Sequence, residues 1–453
     1  MRIKFNDFGQ AGDGELSLAD LTVICGPNSS GKTYTSYAIY AVLKHFSHFF
    51  DFGVESEIFR KLLDGEPATI DLKKIRNDFD RHLSTAANTF ANGLDRFFNA
   101  PDDFFSGTKF YFELEDGDFK ATDKYQFSAK VGKDTKLEGE LDPDREIITL
   151  AYSSNEELKL PRRIISSIVN DIIFGAIMGE ETPSPFVVTS ERTGIALFYK
   201  DLDYNSNAIV SHLRDSEKID PIKIIEAMRS RYAQPIQDNI DTVRDYDNIS
   251  KRKSFFREAK EDYKHVFEAL NDLLGGGSFR SSNGQLAYSP RKKRNQPKLL
   301  VPLYIASSSI KSLFLIDVYV NHVARKNQTL IIDEPELNLH PDNQVKFARL
   351  IARLVNSGVK VLLTTHSDYI VREINNLVSM SEVGTERAEL LNRYSLIDQD
   401  ILRPSQVHAY CASPSGGFSA MEVSPSGIDT AIFDSIIADE NFKAQDIHLS
   451  LGE

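Results

Sequence analysis

The stretch "LTVICGPNSSGKTYTSYAI" (21–39) constrains the fold of this chain more than any other. Thr22, Val23 and Ile24 favour extended backbone, so residues 21–25 read as a strand. A helical pattern, "TYTSYAIYAVLKHF", starts directly after Lys32. Between the two, Gly26 to Thr33 spells G-x-x-x-x-G-K-T. Gly26 and Gly31 let such a loop turn tightly and bring backbone N–H groups against an anion. The helix that follows offers its positive end. On this pattern Gly26, Pro27, Asn28, Ser29, Ser30, Gly31, Lys32, Thr33 and Tyr34 are expected to wrap a nucleotide's phosphates. Lys32 would bridge the β- and γ-phosphates of ATP, and Thr33 would hold Mg²⁺ through its hydroxyl. A glycine-capped turn ahead of a helix is the plainer alternative. The flanking strand and helix are the context that a phosphate loop needs.

Two later strands end in polar residues of the right kind. In "QTLIIDEPELNLHP" (328–341) the run Leu330, Ile331 and Ile332 reads as a buried strand from whose C-terminal end Asp333 and Glu334 emerge. Ligands of open α/β sheets sit at that end. Asp333 suits a Mg²⁺ shell. Glu334 is placed to act as general base on an attacking water. In "KVLLTTHSDYIVREI" (360–374) His366 ends a neighbouring strand and is expected to sense the γ-phosphate. A fourth piece, "IASSSIKSL" (305–313), starts a helix with Ser307, Ser308 and Ser309. Hydroxyls at a helix N-terminus suit phosphate, but serine also caps helices for no other purpose.

The chain has 453 residues, 26% of them charged, and a formal net charge of -13. That length allows two or three lobes, and that charge presents no overall footprint for nucleic acid. Two basic runs stand out, "SPRKKRNQPK" (289–298) and "SKRKSFFREAK" (250–260). They read as solvated loops or as local patches for DNA. Only two cysteines occur, Cys25 and Cys411, which fits a reducing, cytoplasmic setting rather than a disulfide framework or a zinc site. Cys25 reads as a small strand residue beside the loop. No apolar run is long enough to span a membrane, and the N-terminal "MRIKFNDFG" has no signal core.

Strand and helix patterns alternate along the rest. "RIKF" (2–5) alternates as a short strand. Residues 40–108 are mostly helical in pattern. Residues 109–152 alternate, with turn signals at Asp116-Gly117 and Gly132-Lys133, and predict an antiparallel meander. "PFVVTSERTGIALFYKDL" (185–202) predicts a strand leading into a helix. Residues 203–274 are again helical, interrupted at Pro221 and Pro235, and a hairpin follows at Asn283-Gly284. Successive strand–helix units predict an α/β fold with parallel pairing.

Taken together, these pieces resemble the ABC-type ATPase head of the SMC, RecF and OLD branch. "IKFNDFG…LSLADLTVICGPNSSGKT" looks like its first strands and P-loop, and "DEPELNLHP" is similar to stand-alone OLD-like AAA-type ATPases. "TTHSDYIV" matches their switch histidine, and "VVTSERTG" resembles a strand end that would bring Arg192 to the site. The resemblance implies a P-loop ATPase head split over 1–40, 110–202 and 275–394. It carries the β-meander as a subdomain and takes helical insertions at 41–109 and 203–274. A small C-terminal segment, 395–453, would follow, in which the alternation of "VHAYCASPSGGFSAMEVSPSGIDTAIFDSII" suggests a docking strand pair.

The resemblance also implies a mechanism. Such heads dimerise head to tail around two ATP molecules, and Ser307, Ser308 and Ser309 would contact the γ-phosphate held by a second copy. The chain has Ser309 where the family usually carries a glycine, and the family's glutamine loop has no evident match. A transporter subunit is disfavoured, because Thr33 and Asp333 stand too far apart and no Leu-Ser-Gly-Gly-Gln signature occurs. OLD nucleases carry a Toprim domain after the switch histidine. The stretch here is short for one, since domains of that kind fall in the ~100-residue class. An effector on another polypeptide is therefore implied, such as the nuclease of an anti-phage system resembling Septu or PARIS. DNA, bound directly as RecF-like proteins do, is the alternative partner.

Overall fold

Strands buried at nearly every position need cover on both faces, which parallel sheets obtain from their crossover helices. Three such strands meet in one sheet: β1 (Leu21–Cys25), β3 (Thr329–Asp333) and β4 (Lys360–Thr365). With β2 (Phe186–Val188), β5 (Val407–Ala412) and β6 (Phe418–Met421) they form six strands in the order β6-β5-β1-β4-β3-β2. All neighbours are parallel except β6, which returns antiparallel to β5. The computed structural model describes residues 1–53, 56–114, 126–131, 135–142, 144–153, 162–179, 183–199, 232–282, 284–292 and 299–451. No helix of the described residues is long and apolar enough to cross a membrane.

The chain packs as two compact units, Met1–Ser17 with Ala41–Thr182, and Leu18–Tyr40 with Pro183–Glu453. The second unit holds the six-stranded sheet. Its helices include α1 (Lys32–His45) as far as Tyr40, α2 (Arg192–Phe198), α3 (Ser308–Val318), α4 (Pro341–Asn356) and α5 (Asp368–Ser379). The α4 helix shows how sequence sets an element. His340 caps it by accepting the Asp342 N–H, Pro341 opens the first turn, and Gly358 follows its end at φ 89°. Its apolar face buries Phe347, Ile351 and Leu354 in the core shared with Leu330, Ile332 and Leu363. Register then aligns the strand ends: Asp333 pairs with Thr364, and Thr365 with Cys25.

The first unit is built on two smaller sheets. Arg2–Asn6 lies between Gly14–Ser17 and Lys109–Glu113, both antiparallel to it. The alternation of "RIKF" buries Ile3 and Phe5, and Phe5, Phe8, Phe105 and Phe110 pack edge-on or tilted around them. Gln126–Val131, Thr135–Asp142 and Ile147–Ser153 form a second sheet, closed by Ala68–Asp71. The expected meander is thus divided. Its first strand joins the N-terminus because Phe110 and Phe112 turn inward on one face. The remaining strands recruit Ala68–Asp71 from a segment that reads as helical, where the buried Ala68 and Ile70 alternate with exposed neighbours. The turn signals at Asp116-Gly117 and Gly132-Lys133 lie outside the described residues, as do Asn283 and Pro221.

Three further differences from the sequence reading concern boundaries. Residues 1–17 and 110–182 group with 41–109 and not with the P-loop strand. Pro235 does not interrupt a helix but opens one, Gln234–Arg244. Residues 407–421 are not an appendage: β5 runs parallel to β1 and β6 completes that edge of the sheet. Val407, Ala409 and Ala412 are buried there. The expected strand pair is present, but it joins the central sheet, which short strands of small residues do not signal locally.

Burial gives one titratable group a measurable role in stability. Asp317 of α3 is buried, and desolvation pushes its carboxyl up to about 7, against the opposing pull of Arg257 and a hydrogen bond from Asn321. The folded state therefore holds this proton more tightly than the unfolded chain. Its stability contribution is greatest at low pH and is lost as pH rises from about 4 to about 7. Asp317→Asn, which keeps an acceptor for Asn321, should stabilise the protein at pH 8 by up to ~4 kcal/mol. The advantage should shrink towards zero near pH 4 in denaturant melts.

Candidate functional site

Parallel register carries the C-terminal ends of β1, β4 and β3 to one edge, where Lys32, Thr33, Asp333, Glu334 and His366 meet. Among the described residues, Ser307, Ser308 and Ser309 make no hydrogen bond to them. The loop from Gly26 to Gly31 turns at positive φ, 145° at Gly26, 61° at Ser29 and 84° at Gly31. At Gly26 an added Cβ would stand 2.5 Å from the carbonyl oxygen of Ala412 at the end of β5, so only glycine fits. Pro27, Asn28 and Ser29 are exposed, and Ser30 is buried with its hydroxyl donating to the Pro27 carbonyl at 2.8 Å. Tyr34 is half-buried in the first turn of α1.

Lys32 is buried, and its ammonium donates to the carbonyls of Gly26 (3.0 Å) and Pro27 (2.6 Å) inside its own loop. Desolvation lowers its pKa, while Glu334, Asp333 and Glu336 pull the other way. Thr33 Oγ1 lies 3.2 and 3.1 Å from the two oxygens of Asp333. Asp333 is fully buried, and its Oδ1 also accepts from the Thr364 hydroxyl. Burial raises its pKa, Thr364 and Thr33 oppose this, and Glu334 and Glu191 add to it. A buried carboxylate sharing a threonine hydroxyl is the donor set expected of a divalent-cation site.

Glu334 takes a left-handed backbone, φ 51°, which costs a non-glycine residue on the order of 1 kcal/mol. Two clamps hold it. Its N–H donates to the carbonyl and hydroxyl oxygens of Thr364, each at 3.1 Å. Its carbonyl accepts from Arg192 at 2.7 Å. The side chain remains partly exposed, with Oε1 3.8 Å from His366 Nδ1. Glu336 is nearer, its Oε1 standing 3.3 Å from Nδ1 and accepting the His366 backbone N–H at 2.8 Å.

Arg192 lies behind the site, not in it. It is buried and donates to the carbonyls of Thr189 (3.0 Å), Asp333 (2.8 Å) and Glu334. Desolvation lowers its pKa, and the carboxylates of Asp333, Glu336, Glu334 and Glu191 hold its charge. Ser307 caps α3 by accepting from the Ile310 N–H at 3.3 Å, and Ser308 is exposed beside it. Ser309 uses its backbone carbonyl to receive the Ser312 hydroxyl. Sequence reasoning passed over Thr364, Glu336 and the Tyr37–Glu191 pair, in which the phenol donates at 2.9 Å. The signal for the first two is the doubled threonine of "TTHSD" and the third acid of "DEPE".

A family model described as "AAA ATPase domain" matches residues 1–371. The chain belongs to this AAA ATPase family. Its α/β architecture, with the phosphate loop between β1 and α1, is that of a P-loop ATPase head. Solved structures similar to it include an Smc head bound to the C-winged helix domain of ScpA, at 13% identity, 93% coverage of this chain and 97% of that chain, TM-score 0.35. An Smc head with an extended coiled coil, bound to the C-terminal domain of ScpA from Pyrococcus furiosus, shares 12% identity over 98% of each chain, TM-score 0.32. The SMC head domain from Thermotoga maritima shares 11% identity over 93% and 98%, TM-score 0.28. No curated protein matches the chain.

Arg192 of this ATPase head gives a direct test of how the acid cluster is held. Arg192→Ala removes the donor from three carbonyls and a cation from among the acids. It should lower unfolding stability by ~2–4 kcal/mol, read from the denaturant midpoint.

Proposed function

We propose that the chain is a Mg²⁺-dependent ATP-binding and hydrolysing switch. In this reading it is the ATPase subunit of a bacterial anti-phage complex that controls a separate effector such as a nuclease. One observation carries the nucleotide part: Thr33 and Asp333, from distant motifs, share a hydrogen-bonded cluster beside Lys32. The donor set fits the ligands. The Lys32 ammonium already rests on two oxygens of its loop, a placement that phosphate oxygens can take over, and Asp333 is a buried carboxylate that a cation would relieve of its desolvation. When bound, Mg²⁺ supplies positive charge against the phosphates.

The chain's own residues then divide the work. Backbone N–H groups of the Gly26–Thr33 loop and the Lys32 ammonium bind phosphate oxygens. Glu334 accepts a proton from water, its carboxylate being the more exposed acid of the cluster. His366, exposed at the end of β4, contacts the γ-phosphate side. Ser307, Ser308 and Ser309 serve the site of a second copy in an ATP-bridged dimer, for which exposed hydroxyls at the start of α3 are suited. The separate effector rests on the resemblance of "DEPELNLHP" to stand-alone OLD-like ATPases. A cytoplasmic setting is consistent with two free cysteines, one of them buried.

The RecF-like alternative has one favourable observation: Lys251, Arg252, Lys253, Arg257 and Lys260 are all exposed on one short stretch. Arg291 and Lys292 are exposed too, while the rest of the second basic run lies outside the described residues.

Glu334→Gln should keep MgATP binding and lower turnover by ~10²–10⁴-fold, whereas Lys32→Ala should lose binding itself. Equilibrium titration and phosphate release distinguish the two. Co-purification of Glu334→Gln with its genomic neighbours in ATP should retain an effector; a lone chain would sink that half of the reading. The leading reading also expects no salt-steep affinity for duplex DNA. A loss of ~10³-fold between 50 and 200 mM salt would favour the RecF-like alternative.

A further inference from the structure

The acid cluster contains one carboxylate that neither the metal nor the base role uses. Glu336 is buried, 7% exposed, and sits in the turn after β3. Its two oxygens differ. Oε1 accepts the backbone N–H of His366 at 2.8 Å and stands 3.3 Å from His366 Nδ1. Oε2 is buried with no hydrogen-bond donor among the described residues. Burying a carboxylate with half its acceptor capacity unmet is costly. Its neighbours Lys32 and Arg192 supply compensating charge without bonding to it.

Two carboxylates compete for the histidine. Glu334 Oε1 is 3.8 Å from Nδ1, Glu336 Oε1 is 3.3 Å, and only Glu336 also binds the backbone of the same residue. A hydrogen bond to the backbone N–H together with a close contact at Nδ1 ties one carboxylate oxygen both to where the residue starts and to how its imidazole turns. From this geometry we infer that Glu336 is the positioning residue of His366: it takes the Nδ1 side of the ring, leaves Nε2 for the nucleotide, and keeps Glu334 free to act as base. The inference rests on the ATPase reading of the same site and adds a role within it. The physical logic is that of a histidine oriented by a buried acceptor, where the second nitrogen's chemistry is set by what the first one donates to. The orphan Oε2 serves the same end. With Oε2 unpartnered and Oε1 against His366, the carboxylate's polar contacts among the described residues all go to that histidine.

The experiment compares Glu336→Gln, His366→Ala and the double variant in steady-state MgATP hydrolysis, with ADP binding measured in parallel. Glu336→Gln keeps an oxygen for the His366 N–H but loses the charge. Its kcat should fall ~10–100-fold, with KM and ADP affinity within ~3-fold, and the double variant should be no slower than His366→Ala. Losses that multiply, or a raised KM at unchanged kcat, would overturn the inference. If Glu336→Gln does not fold, Glu336→Asp replaces it in the same cycle. The ¹⁵N resonances of His366, assigned by their disappearance in His366→Ala, give a readout that needs no turnover. Wild type should show Nδ1 protonated, and Glu336→Gln should shift that signature. If wild-type protein fails to hydrolyse ATP, the functional reading falls while the ¹⁵N shift still decides Glu336; an unchanged His366 spectrum overturns the positioning role.

Discussion

Everything at the candidate site depends on accommodating the Asp333 carboxyl where it has no contact with solvent. An isolated carboxylate in such a place neutralises itself or is expelled. Here the hydroxyls of Thr364 and Thr33 donate to it. Lys32 and Arg192 lie close enough for their charges to be felt, since each has its pKa supported by the same acids. The balance is tilted towards negative: four acids, Asp333, Glu334, Glu336 and Glu191, surround two buried cations. A site left with surplus negative charge, and with hydroxyl oxygens already turned inward, is electrostatically prepared for a cation, and its lysine is prepared for phosphate.

That arrangement requires strict register. Residues opposite one another in parallel strands share a face, and a one-residue slip would turn Thr364 away from Asp333. The uniform burial of β1, β3 and β4 fixes the register, because each strand is packed on both sides. Arg192 then couples the edge strand to the same point. It enters from the helix after β2 and binds the main chain of Asp333 and Glu334. In this way the left-handed backbone at Glu334 is held by β4 on one side and by α2 on the other.

Much of this is legible in the sequence. Gly26 to Thr33 announces its loop because positive φ and close backbone approach admit few residue types. Asp333, Glu334 and His366 announce themselves by standing where long apolar strands stop. Arg192 was expected in the site, yet its side chain supports the backbone behind it; a sequence names a residue but not the direction it faces. Glu336 and Thr364 escaped notice because one acid among several and one threonine of a pair look ordinary until pairing sets Thr364 against Asp333 and folding sets Glu336 beneath His366. The C-terminal segment reads as a strand pair, and β5 and β6 do pair, but its place in the central sheet is not legible for a related reason. Small and aromatic residues mixed over six positions carry little periodicity, and the value of "VHAYCA" lies in its fit beside β1.

The β5 strand also shows why the phosphate loop and the later part of the chain cannot be treated as separate modules. Its last residue, Ala412, places a carbonyl where any Cβ on Gly26 would fall. Cys411 is register partner to Cys25, the residue before the loop, and burial of Cys25 pushes its thiol up to about 12, so it stays an inert packing group. The glycine requirement at Gly26 thus arises from two sources at once: the φ that the loop needs and a neighbour supplied almost four hundred residues later. A loop pattern read as purely local is in part a record of tertiary contact. Substituting Gly26 would disturb β5 as well as the cradle, and a defect in nucleotide binding there would not by itself prove a lost phosphate contact.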